Sequence, residues 1–80
     1  MSAYSRAEYT EELTQYLRWM KSKGFTANGP WPHAWKDPDD AQRCLAWNKK
    51  LQVMEIALAL DTIEVIHINI QCERIAAHAA

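Results

Sequence analysis

The chain has 80 residues, 49% of them hydrophobic and 24% charged, with a net charge of −1. That is the composition of one small globular domain, and the near-neutral balance excludes the strong basic field of a general nucleic-acid or anionic-membrane binder. Two cysteines, Cys44 and Cys72, are too few for a disulfide framework and suit reduced, buried thiols, so a cytoplasmic location is expected. Glu8, Glu11 and Glu12 sit where a signal peptide needs an apolar run, and Glu55, Asp61 and Glu64 interrupt the most apolar window, Leu51 to Ile70. No membrane partner is expected.

Three helix-start signatures follow in chain order: Ser5-Arg6-Ala7-Glu8, Asp37-Pro38-Asp39-Asp40 and Asp61-Thr62-Ile63-Glu64. In each, the first side chain can accept a hydrogen bond from the backbone N–H three residues on, and the acid at that position can reach back. Tyr4 and Tyr9 flank the first signature, and Leu60 and Val65 the third, at the spacing of a hydrophobic staple. The chain reads as an all-α, three-helix domain.

The first helix is predicted over about 6–23, with an apolar stripe of Tyr9, Leu13, Tyr16, Leu17 and Met20. Glu8, Glu11, Glu12, Arg18 and Lys21 fall elsewhere and should be solvated, which makes this a surface helix. Gly24 is placed for the left-handed position after the helix, and Phe25 can fold back on Met20. A loop over 25–37 holds Asn28-Gly29 and then Pro30-Trp31-Pro32-His33-Ala34-Trp35, stiffened by its prolines.

The second helix is predicted over 38–60, with Pro38 at its first position. It carries two apolar stripes, one of Cys44, Trp47, Leu51, Met54 and Leu58 and one of Ala46, Val53, Ile56, Ala57 and Leu60. The segment 62–70 is rich in β-branched residues and alternates like a strand. The cap at Asp61, the lack of a pairing strand and the helix-favouring tail over 71–80 weigh for a third helix over 62–78. Its two stripes are Ile63, Ile66, Ile70 and Ala77, and Val65, Ile68, Cys72 and Ile75. No glycine separates the second and third helices, so they form either a tight hairpin or one kinked helix.

Four apolar stripes exceed what one further helix can cover, and a chain this short commonly needs oligomerisation to supply core. A homo-oligomer is expected, with Leu51, Met54, Leu58, Ile66 and Ile70 at its interface. The histidines and cysteines lack the paired spacing of metal ligands, and no glycine-rich phosphate loop exists, so no metal, cofactor or catalytic residue is expected. Trp31, His33 and Trp35 lie in a stiff aromatic loop whose rings either roof the contact between the first two helices or anchor on a partner protein. Arg43, Trp47 and Lys50 lie at i, i+4 and i+7 and could meet a small ligand such as a nucleotide. Nucleic acid is the weaker reading of that stripe, because Asp37, Asp39 and Asp40 open the same helix. In its short length, dense aromatics and lack of catalytic motifs, the chain resembles small accessory proteins of phages and mobile elements. That resemblance implies an inhibitor or adaptor of a host protein.

Overall fold

The computed structural model describes residues 3–25 and 37–78. Among the described residues three helices are present: α1 (Arg6–Ser22), α2 (Pro38–Ala57) and α3 (Thr62–His78). The segment 62–70 is helical, so capping and the missing strand partner outweigh its β-branched content.

Each helix is started by the expected residue, though not by one shared geometry. At α1 the box is complete: Ser5 Oγ accepts from the Glu8 N–H at 3.1 Å, and Glu8 Oε1 accepts from the Ser5 N–H at 3.3 Å. At α2 the Asp37 carboxylate accepts from the Asp39 N–H at 2.9 Å, one residue earlier than expected. Asp40 is thereby released and pairs with Lys23 at 3.2 Å, tying the end of α1 to the start of α2. At α3 the Asp61 carboxylate accepts from the Glu64 N–H at 2.8 Å, while the Glu64 carboxylate pairs with Arg6 of α1.

Both α1 and α2 stop in Schellman motifs. Gly24 (φ +77°) lets the Phe25 N–H reach the Met20 carbonyl at 2.9 Å and its own N–H reach Lys21 at 3.0 Å. Ala59 (φ 52°) takes the equivalent position after α2, with Leu60 N–H on the Glu55 carbonyl and Ala59 N–H on that of Ile56, both at 3.0 Å. This ends α2 at Ala57 instead of residue 60 and turns the chain back, which rules out one long kinked helix. A non-glycine residue in the left-handed region costs roughly 1–2 kcal/mol.

Cross-helix contacts give the topology. Tyr9–Glu55, Glu12–Lys50 and Tyr16–Cys44 run down α2 as they climb α1, so these helices are antiparallel. Arg6–Glu64, Thr10–Cys72 and Lys21–Ala77 climb together, so α1 and α3 are parallel. Helix α1 packs chiefly on α3 and also on α2, whereas α2 and α3 barely touch. The first helix is therefore the middle of the fold, packed on both others, while Glu8, Glu11, Arg18 and Lys21 on its polar face are exposed as expected. It buries Tyr9, Leu13, Thr14, Tyr16 and Met20, and the apolar four cluster with Cys44, Leu51 and Met54 of α2 and Cys72 of α3, while Ala76 of α3 is also buried.

Within the single chain α2 and α3 are covered on one side only. Each buries one stripe against α1 and leaves the other open. Leu51 and Met54, expected at an oligomer interface, lie in the core of the single chain, and Leu58 is half-buried against it. They face α1, which uses them to complete its own cover. Ile66 and Ile70, from the same expected set, are exposed.

Candidate functional site

The end of α1 and the first half of α2 build an aromatic cluster. Tyr16 and Trp19 stack with ring centroids 6.3 Å apart, and Trp47 tilts against both, at 5.4 Å from Tyr16 and 5.7 Å from Trp19. These positions meet because Tyr16 and Trp19 are three apart on α1 and Trp47 lies on the α2 stripe that faces them. The Arg43 guanidinium sits 5.4 Å from the centroids of both tryptophan rings, a cation–π arrangement that orders it. The Trp47 Nε1 is buried with no hydrogen-bond partner among the described residues.

Beside this cluster lies an open groove of about 280 Å³ lined by Glu12, Arg43, Ala46, Trp47 and Lys50. The three residues singled out for a ligand, Arg43, Trp47 and Lys50, are thus brought together. Lys50 is held there by Glu12 at 3.2 Å, so the groove carries both signs of charge. Sequence reasoning missed Glu12 and Trp19. The spacing Glu12, Tyr16, Trp19, Lys23 was the available signal: it forms a second stripe on α1 beside the apolar one, and that stripe faces α2.

Deeper in the core, hydroxyls and thiols are satisfied locally. Tyr9, 1% exposed, donates to Glu55 Oε2 at 2.9 Å. The Tyr16 hydroxyl lies 3.2 Å from Cys44 Sγ, to which Asn48 also donates at 3.5 Å. Burial pushes both tyrosine hydroxyls well above their ordinary value, reinforced by the Glu55 carboxylate at Tyr9 and by Cys44 at Tyr16. Cys72 is fully buried and donates to the Thr10 carbonyl at 3.4 Å. Both cysteines are free thiols with buried, structural surroundings. Among the described residues no group of histidines, cysteines and acids could hold a metal ion, and no helix is long and apolar enough to cross a membrane.

Trp31, His33 and Trp35 lie outside the described residues. A different apolar surface is on view instead. Leu45, Val53 and Ile56 of α2, and Ile63, Ile66, Ile70 and Ile75 of α3, are all exposed, Ile56 to 80% and Ile63 to 65%.

Comparison with protein-family models, with curated proteins and with solved structures finds no match.

Proposed function

We propose that the chain is a non-enzymatic helical module that works by binding another protein, as a stoichiometric inhibitor or adaptor. The observation that carries this reading is the open apolar surface on the outer faces of α2 and α3. Side chains of this kind are normally covered, and large exposed apolar patches mark interaction sites. Presented at helical spacing on rigid elements, they suit docking of one face against a partner's groove or helix. A cytoplasmic phage or mobile-element setting is supported by the two free thiols and by the general resemblance in size and composition. The loop residues Trp31, His33 and Trp35 are proposed as further anchors on the same partner.

Affinity capture with the tagged chain tests this. The wild-type protein should retain a near-stoichiometric partner that a Val53→Lys/Ile56→Lys variant loses, and Trp31→Ala should weaken the retention. Absence of any stoichiometric partner in its native host, or retention indifferent to these changes, would refute the reading.

A second reading is favoured by the groove at Trp47. A flat ring flanked by Arg43 and Lys50 suits a planar anionic compound such as a nucleotide, with the ring stacked and the charge paired. Native mass spectrometry of the purified protein would reveal such a ligand as an added mass. Replacing Arg43 with Ala should remove it.

A further inference from the structure

We infer that the chain pairs with a second copy of itself by exchanging α3: the turn over 58–61 opens, and each α3 docks on the α1 of the other copy instead of its own. The exchange uses the inner faces of the helices. It goes beyond the protein-binding reading and leaves the outer faces of α2 and α3 open to another protein.

The turn is the first reason. Leu58 still has near-helical angles (φ −88°, ψ −2°), and Ala59 (φ 52°) is where the chain leaves the line of α2. An alanine in that region is strained by its Cβ, as a glycine would not be. Leu58-Ala59-Leu60-Asp61 contains no glycine or proline, so all four residues accept right-handed helical angles. Straightening the turn therefore relieves the strain and carries α3 onward in the direction of α2. The bonds of the turn, from the Leu60 N–H to Glu55 and from the Ala59 N–H to Ile56, give way to ordinary helical ones. A short connection under strain is the usual hinge of such an exchange.

Attachment is the second. Helix α3 is held by α1, through the Arg6–Glu64 ion pair, the Cys72 thiol on the Thr10 carbonyl and the Lys21 ammonium on the Ala77 carbonyl. It barely touches α2. Leaving α2 thus costs α3 little, and each contact it makes to α1 is remade on the α1 of the other copy.

Direction is the third. Helix α2 runs antiparallel to α1 and α3 parallel to it, and α2 and α3 are similar in length, at 20 and 17 residues. With the turn straight, α3 points along α2, against its own α1. A two-fold axis through the opened turn, perpendicular to the helices, reverses that direction for the second copy. The α3 of that copy then arrives parallel to α1, in the slot left empty. Closure by a two-fold axis ends the assembly at a dimer.

The test uses the whole chain refolded from urea at concentrations from micromolar to millimolar and followed by sedimentation velocity. A dimer of the 9.2 kDa chain should grow in with concentration. Ala59→Gly frees the closed turn of strain and puts a poor helix former in the open one, so it should raise the dimer Kd. Left-handed strain is a factor of roughly five or more in an equilibrium constant and each dimer opens two turns, so the rise should be about 25-fold or more. Ile66→Lys, at an exposed position, should leave the dimer intact. The exchange itself is read with Arg6→Cys/Glu64→Cys, at two surface positions whose side chains meet, while Cys44 and Cys72 are buried. A short bismaleimide joins these cysteines within one chain in the monomer and between two chains in the exchanged dimer, and a denaturing gel separates the products. A chain that stays monomeric up to millimolar concentration, a Kd unmoved by Ala59→Gly, or an isolated dimer whose cross-links stay within one chain overturns the proposal. Loss of a captured partner in the Val53→Lys/Ile56→Lys variant is read separately, so failure of the exchange and failure of the binding module remain distinct.

Discussion

Above about pH 10, where tyrosines of an unfolded chain ionise, the fold is expected to weaken through Tyr9 and Tyr16. Both hydroxyls are held above their ordinary value, chiefly by burial. Between the unfolded and folded values the native state therefore binds two more protons than the unfolded one, and stability falls as pH rises. The contribution is complete below about pH 10 and is lost progressively as pH climbs toward the folded values. Each tyrosine supplies a slope of about 1.4 kcal/mol per pH unit, so one unit into this window the pair removes roughly 3 kcal/mol. A domain with about 5 kcal/mol in all would then be near its midpoint. Urea titrations followed by far-ultraviolet circular dichroism at successive pH values would measure the slope. The Tyr9→Phe/Tyr16→Phe double variant should start less stable, because a hydrogen bond to a charged acceptor contributes about 1.5–3 kcal/mol, yet decline less steeply. Lysine ionisation is common to both proteins and cancels in the comparison. Parallel profiles would refute the reasoning, as would tyrosinate absorbance from these two rings near pH 10 with the helices intact.

Other substitutions probe separate features. Ala59→Gly should stabilise the chain by about 0.5–1 kcal/mol in thermal or urea unfolding, since relief of the left-handed strain exceeds the added freedom of the unfolded state. Met54→Ala opens a core cavity and should cost about 2–5 kcal/mol, whereas Ile56→Ala, at an exposed site, should change stability by less than about 0.5 kcal/mol. Trp47→Ala removes the ring that Tyr16, Trp19 and Arg43 share and should cost about 3 kcal/mol, with loss of near-ultraviolet dichroism. Asp61→Ala should cost about 1 kcal/mol through the lost cap of α3.

Helix number and helix starts were legible because capping chemistry is local: Ser5, Asp37 and Asp61 each needed only their next three residues. The early end of α2 was legible only as one of two alternatives, because it depends on Ala59 accepting a conformation that sequence normally assigns to glycine or asparagine. The reversal of roles between α1 and its neighbours was hidden for another reason. Amphipathicity reports which faces are apolar, not which of them find cover. The stripe read on α1 left out Thr14 and Trp19, and Glu12 was read as solvated. Thr14 is in fact buried, its hydroxyl donating to the Thr10 carbonyl at 2.7 Å, and a small polar residue that satisfies itself in this way can face a core. At the candidate site, Arg43, Trp47 and Lys50 were visible as one stripe on one helix. Glu12 and Trp19 come from another helix, and no spacing within α2 could disclose them.

The central position of α1 also governs the order in which the molecule can assemble. The bonds that hold α1 to α3 join residues 58, 62 and 56 positions apart in the chain. A bundle of successive hairpins folds from neighbours outward, but here α2 and α3 barely touch and cannot nucleate one another. The earliest helix must wait for the last one, and closing so long a loop is slow for a helical protein because its entropy is spent before the contacts form. Helix α2 can cover only part of the apolar stripe of Tyr9, Leu13, Tyr16 and Met20, and the rest stays open until α3 has been made. The appearance of α3, rather than completion of α1 or α2, is the event that commits this domain to its fold.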